Sequence, residues 1–274
     1  MSTGLPLEQR LLAAAADGDL DLIKSLYGSL SSADQTESLQ KIAQSAARHG
    51  HADLLEWCFS QGLSFPAESV NHDLYHAACD GGSPAIFQVL VNHGTDLNAH
   101  WSEYDGDALV VAARTGNVPL ARFLLEHGQD PNSGHCCSDA EAIHWAITGD
   151  NASLEIIRLM LSHGLRLEGT GAAVAAAEVD NLEALELLLD SGAGAGLEDK
   201  AIWWPVTDKE SVDSEGTALY RACRAGKIRT ARCLLDRGAD PNATDRVGRS
   251  CLAVAQERGH QDIVDLLRER GATG

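Results

Sequence analysis

The sequence predicts an all-α solenoid of about eight helix-turn-helix units with finger loops between them, and three observations predict it. The chain nearly repeats itself: residues 121–132 read ARFLLEHGQDPN and residues 231–242 read ARCLLDRGADPN, identical at eight of twelve positions. An apolar stripe at helical spacing closes on a glycine again and again, at Gly62, Gly94, Gly128, Gly164, Gly192, Gly238 and Gly271. The intervals are 32, 34, 36, 28, 46 and 33 residues, so one period near 33 governs all but the fifth. Finally, a short Ala-rich segment and a tight turn precede the stripes, as in LVVAARTG (109–116) and LYRACRAG (219–226).

Each element follows from local chemistry. The first helix of a unit is rich in alanine, which lets it approach its neighbours closely. The second is rich in leucine, and its closing glycine serves as a left-handed C-cap where a Cβ would clash. The units are assigned to residues 5–34, 36–66, 68–98, 105–132, 139–168, 170–196, 215–242 and 246–274, one array over 1–274, with a long finger insertion at 193–214. Unit one turns at Gly18, and unit two runs from Glu37 and turns at Gly50. Unit three turns through Gly81-Gly82 with about one extra residue, and unit four at Gly116. Unit five turns through Gly149-Asp150-Asn151-Ala152, about two residues longer. Unit six turns at Asp180-Asn181, where Asp and Asn replace glycine. Units seven and eight turn at Gly226 and Gly259. Pro84 and Pro119 suit the first turn of a second helix, and Thr217 and Ser250 suit N-caps of first helices. Glu8-Gln9-Arg10 and Arg268-Glu269-Arg270 supply the polar faces that end units need.

A 33-residue period built from an Ala-rich helix, a glycine turn, a Leu-rich helix and a Gly-x-Asp-x-Asn exit resembles the ankyrin repeat. The residues that carry the resemblance are Gly94-Thr-Asp-Leu-Asn98, Gly128-Gln-Asp-Pro-Asn132 and Gly238-Ala-Asp-Pro-Asn242, together with the Leu-Ala-Ala-Gly helices. The family's Thr-Pro-Leu-His opening is degenerate here, as Thr217-Ala-Leu-Tyr220, Ser250-Cys-Leu-Ala253 and Glu141-Ala-Ile-His144. The resemblance implies a protein-binding array whose first helices and fingers line a concave groove.

The formal charge is −19, from 40 acidic and 21 basic residues, which opposes direct nucleic-acid binding because that rests on Lys and Arg neutralising phosphates. The acidity either keeps an extended surface soluble or favours a basic partner. Seven cysteines without a framework spacing point to a reducing, intracellular setting, cytoplasmic or nuclear. The early apolar run Leu11–Ala16 is too short for a signal peptide, and no stretch is long enough to span a membrane. A monomer is expected.

Catalytic and metal chemistry find little footing. His135-Cys136-Cys137 is the densest ligand-like cluster, but adjacent cysteines point apart and lack zinc-site spacing. His93, His127 and His163 each precede a closing glycine, where an imidazole favours the helix C-terminus, so they read as register positions. No nucleophile elbow, P-loop, dinucleotide fingerprint or zincin motif occurs. The expectation is therefore no catalytic residue, no metal and no cofactor.

The candidate partner-binding residues are Trp101, Tyr104, Arg114, Trp203, Trp204 and Arg224. Arg48, Arg114 and Arg224 recur two residues before the turn glycine, where a guanidinium either receives a partner's carboxylate or satisfies carbonyls at its own helix end. Trp101 and Tyr104 fall in a finger, and Trp203-Trp204-Pro205 in the insertion that lengthens the 46-residue interval by about 13. Aromatic residues in loops either anchor a partner or fold back on their own array. The leading expectation is a non-catalytic protein-interaction scaffold. Its narrower form, suggested by short stand-alone arrays of fungal type, is a transcription co-regulator acting through a DNA-binding partner. The alternatives are a cytosolic enzyme inhibitor or substrate adaptor and, more remotely, a metal-dependent enzyme using the His135–Cys137 loop.

Overall fold

The structure is a computed structural model that describes residues 6–64, 72–99, 106–133, 141–192, 197 and 216–273. Among the described residues there are sixteen α-helices and no strand. The helices are α1 (Leu7–Asp17), α2 (Leu20–Tyr27), α3 (Ser32–His49), α4 (Ala52–Ser60), α5 (His72–Gly81), α6 (Pro84–Asn92), α7 (Ala108–Thr115) and α8 (Val118–Glu126). They continue as α9 (Glu141–Thr148), α10 (Leu154–Ser162), α11 (Ala172–Glu178), α12 (Leu182–Asp190), α13 (Ala218–Ala225), α14 (Ile228–Asp236), α15 (Cys251–Glu257) and α16 (Gln261–Glu269). Odd-numbered helices are first helices and even-numbered ones second helices, so the expected helix-turn-helix period is met throughout.

The chain divides into two compact parts, residues 1–112 with 119–129, and residues 113–118 with 130–274. Within the first part, α1, α3 and α5 pack side by side as a layer of first helices, and α4 packs on α6 in a second layer. Small residues make the first layer tight: Ala46, Ala47, Ala77 and Ala78 are fully buried. Gly81 marks a close approach, because a Cβ there would collide with the Ala47 carbonyl oxygen and stand 2.7 Å from that of Arg48. Leu54, Leu55, Ile86 and Phe87 fill the space between layers. Each such side chain contributes about 2 kcal/mol of burial.

The second part repeats the plan. The first-helix layer runs α9, α11, α13, α15, and the second-helix layer runs α10, α12, α14, α16. All six residues from Ala172 to Ala177 of α11 are buried, since this helix is flanked on both sides within the layer. The stack is unbroken across the long insertion: α11 packs on α13, and α12 on α14. Arg221 pairs with Glu178 at 2.9 Å and Arg237 with Asp190 at 2.6 Å across the same junction.

The Gly-x-Asp-x-Asn exit has a physical reason. Each Asp side chain accepts from the backbone N–H two residues on, Asp96 from Asn98, Asp130 from Asn132 and Asp240 from Asn242, all at 2.9 Å. That turn presents the Asn to the next unit. Asn98 Nδ2 donates to the Gly128 carbonyl at 3.0 Å, and Asn132 Nδ2 to the Gly164 carbonyl at 3.2 Å. Asn132 Oδ1 accepts from the Arg166 N–H, and Asn242 Oδ1 from the Thr273 N–H, both at 2.8 Å. The motif is therefore a staple between successive units.

A second staple joins the start of a second helix to the preceding unit's first helix. The residue opening a second helix reaches back to the end of the previous unit's first helix. His51 Nε2 donates to the Ala16 carbonyl at 2.8 Å, Asn181 Nδ2 to Ile147 at 3.1 Å, and His260 Nε2 to Arg224 at 3.3 Å.

Two local outcomes refine the sequence reading. Helix α3 begins at Ser32, ahead of Glu37, because the Ser31 hydroxyl accepts from the Asp34 N–H and starts the helix within a polar stretch. Asp180 takes the left-handed turn (φ 58°) that glycine occupies in most other units. Its carboxylate then accepts from the buried Thr230 hydroxyl at 2.7 Å and lies 3.5 Å from Lys227 Nζ. Thr217 and Ser250 are N-caps as expected, accepting from the N–H groups of Tyr220 and Ala253.

Candidate partner-binding surface

The position two residues before the turn is occupied by Ala16, Arg48, Asp80, Arg114, Glu178, Arg224 and Glu257 in successive units where the turn is regular. It lies in the last turn of the first helix, outside the buried seam, so its chemistry is free to vary while the backbone repeats. Arg48 is already engaged: it forms an ion pair with Asp80, its counterpart in the next unit, at 3.3 Å. That exposed pair contributes about 0.5 kcal/mol and satisfies the Arg48 head group within the array. Arg114 and Arg224 are half-buried in the last turns of α7 and α13. Trp101, Tyr104, Trp203 and Trp204 lie outside the described residues, as does the His135–Cys137 cluster.

The finger of residues 243–250, between α14 and α15, is described in full. Thr244 and Ser250 form an antiparallel bridge across its base. Asp245 organises it from a buried position, 1% exposed. Its Oδ1 accepts from the N–H groups of Val247 at 3.0 Å and Arg249 at 2.9 Å, and its Oδ2 from Arg249 Nε at 2.8 Å and the Tyr220 hydroxyl at 2.9 Å. Burial pulls the Asp245 carboxyl upward, and the hydrogen bonds from Arg249, Tyr220 and Val247 together outweigh it, holding the carboxyl below its usual range. Burial, then the bond to Asp245, pushes the Tyr220 phenol up to about 12. The result is a rigid finger tip on which Arg246 and Val247 stand exposed, Val247 at 61%.

Tyr220 stands where the family motif has histidine, and His144 stands there in α9. His144 Nε2 donates to the Thr170 carbonyl at 2.7 Å. Burial lowers its pKa to about 4, against the opposing pull of that bond, so the imidazole is neutral at physiological pH. This position therefore ties a first helix to its own finger.

The remaining histidines of the expected register are structural as well. His127 and His163 bond through Nδ1 to the carbonyls of Phe123 and Leu159, both at 2.8 Å. His93 contacts Glu56 at 3.0 Å and stacks on Phe59 with centroids 3.9 Å apart. Burial pushes the Cys58 thiol up to about 12, which removes it from thiolate chemistry. No helix among the described residues is long and apolar enough to cross a membrane.

The sequence reading did not single out Asp245 and Arg249, whose ion pair at 2.8 Å holds this finger. Charge is also unevenly distributed along the chain. Residues 215–274 hold 11 Lys and Arg against 8 Asp and Glu, whereas residues 1–214 hold 10 against 32. The two segments carry net charges of +3 and −22, and the chain's average conceals the difference.

Comparison with known proteins agrees with this architecture. A family description of ankyrin repeats in three copies matches residues 45–135, 74–170, 109–201 and 173–273. The ankyrin repeat and KH domain-containing protein mask-1 of Caenorhabditis elegans is 29% identical over 196 residues, 70% of this chain and 7% of that protein. The B-cell lymphoma 3 protein homolog of Mus musculus is 30% identical over 132 residues, 45% of this chain and 29% of that protein. The chain thus spans less than a third of either relative. In fold it is similar to the ankyrin repeat domain of human ASB11, with a TM-score of 0.63 at 21% identity, covering 85% of this chain and 98% of that one. The period, the stapled exits and the family match across residues 45–273 converge: the chain belongs to the ankyrin repeat family.

Proposed function

We propose that this chain is a non-catalytic protein-interaction scaffold that acts by holding a partner on its first-helix ends and fingers. One observation carries the reading. The helix-turn-helix frame recurs, with Asn staples at three unit exits and a left-handed turn in most units, while the position before each turn changes among Ala, Arg, Asp and Glu. A constant frame with a varied surface suits recognition of one protein sequence by many small differences. The histidines support a non-catalytic role, since ring nitrogens of His51, His127, His144, His163 and His260 contact backbone carbonyls.

In its narrower form the partner is a DNA-binding protein and the outcome is transcription co-regulation. The net charge of −19 supports leaving DNA contact to the partner. Enzyme inhibition or substrate adaptation uses the same surface. In every case Trp101, Tyr104, Arg114, Trp203, Trp204 and Arg224 are the proposed contact residues.

Affinity capture from native extract tests the scaffold reading, with Trp203→Ala/Trp204→Ala as the comparison. The reading expects the main partner to be lost with helicity unchanged. Capture at the wild-type level retires the insertion as a contact, and a lowered melting temperature assigns it to self-packing. Zinc analysis of purified protein separates the metal-dependent alternative: one equivalent lost on Cys136→Ser supports that alternative and contradicts the scaffold reading.

A further inference from the structure

We propose that the exit of unit four is a built-in opening point of the array, set by the buried amide of Gln129. The near-identical segments 121–132 and 231–242 supply a comparison within one molecule. Across the five exit residues, Gly128-Gln-Asp-Pro-Asn132 and Gly238-Ala-Asp-Pro-Asn242 differ only at Gln129 and Ala239.

The two backbones match bond for bond. The Gln129 N–H donates to the Leu124 carbonyl and the Ala239 N–H to the Leu234 carbonyl, both at 3.0 Å. Asp130 and Asp240 each accept from the N–H two residues on, both at 2.9 Å. The preceding glycines are both left-handed, with φ of 88° at Gly128 and 93° at Gly238. Backbone geometry therefore does not set the two exits apart, and the side chain does.

Gln129 is 2% exposed, and among the described residues neither its Nε2 nor its Oε1 has a hydrogen-bond partner. A primary amide carries donors and an acceptor that water satisfies when the chain is open. Burying it unpaired forfeits those bonds and puts nothing in their place. Three other exits avoid this with apolar residues. Leu63, Leu165 and Ala239 stand at the same place and are buried, and each donates its N–H to a carbonyl five residues back, as Gln129 does. Opening the exit of unit four returns the amide to water and recovers its solvation. The open state therefore lies closer to the native one here than at the exits of units two, five and seven. Asn132 belongs to the same exit and bonds to the Gly164 carbonyl and the Arg166 N–H, so each opening also unlatches a staple of the frame.

Native-state hydrogen exchange of the full chain, read by mass spectrometry on short peptic fragments, compares the two exits directly. After correction for intrinsic rates, the amides of residues 129–133 should exchange about tenfold faster than those of 239–243. Gln129→Leu gives unit four the residue of units two and five at nearly constant volume, and Gln129→Ala gives it the residue of unit seven. At least one of them should slow exchange at 129–133 about tenfold, leave 239–243 unchanged and raise the melting temperature by about 2–4 °C. Equal protection of the two exits in wild-type protein overturns the proposal. So does a lower melting temperature in both variants, which would show that a bound water satisfies the native amide. A higher melting temperature with exchange at 129–133 unchanged overturns it as well, because the cost of the buried amide would then not be released by local opening.

Discussion

His144 shows how much one side chain can tell about the array. It is 2% exposed, donates to the Thr170 carbonyl and has its pKa lowered to about 4. The sign of its effect follows. The unfolded chain takes up a proton as pH falls through about 6.5, the folded chain resists until about 4, and stability drops across that window. Between pH 7 and pH 5 the loss from this group is about 2 kcal/mol. Urea denaturation at both pH values should show wild-type protein losing about that much more than His144→Gln, which keeps a donor for Thr170. The exit asparagines act through bonds at the surface, so their effect is smaller. Asn132→Ala removes two inter-unit bonds and should lower stability by about 1–2 kcal/mol, read from the same midpoints. A change under 0.3 kcal/mol would mean that the staple is ornamental.

At the scale of elements, the helix pairs were legible because their signals are local. Apolar residues at helical spacing, a closing glycine and an N-capping Ser or Thr each act within a few residues of sequence. The start of α3 was not legible, because Ser32–Ser38 is polar and carries no periodicity, so only the Ser31 cap reveals the helix. The Asp180–Thr230 bond was invisible for another reason: its partners are 50 residues apart, and only the stacking of α11 and α12 on α13 and α14 brings them together. That junction makes a prediction. Asp180→Gly restores the glycine of most other turns and relieves the left-handed strain, yet strips Thr230 of its acceptor. The lost buried bond should outweigh the relief, lowering the melting temperature by a few degrees. A rise in melting temperature would show that backbone strain dominates. Gly81 is stricter still: Gly81→Ala forces α3 and α5 apart at the Ala47 and Arg48 carbonyls and should cost about 1–3 kcal/mol. The finger was half legible. Its turn residues stood in the sequence, but the convergence of Tyr220, Val247 and Arg249 on the Asp245 carboxylate needed the fold to be seen.

Across the whole molecule, sequence average and local surface tell different stories. A charge of −19 pointed to solubility or a basic partner, although the final sixty residues are net positive. Averages fail in a repeat array because each unit contacts only its neighbours and presents its own surface to solvent. The same independence explains why a degenerate family motif did not disturb the fold. Where the family's histidine is replaced by Tyr220, the finger is still held, through a carboxylate in place of a carbonyl. Stability is built from many equivalent staples, whereas specificity is built from positions that differ, and mutations at the two classes should separate cleanly. The most direct measurement is quantitative capture of the native partner by wild-type chain and by surface variants at the turn-adjacent and finger positions, with melting temperatures recorded in parallel. The account predicts that Arg114→Glu/Arg224→Glu and Trp203→Ala/Trp204→Ala reduce capture at least tenfold with melting temperatures within about two degrees of wild type. Undiminished capture by both surface variants, together with loss of capture only when a staple such as Asn132 is removed, would contradict it.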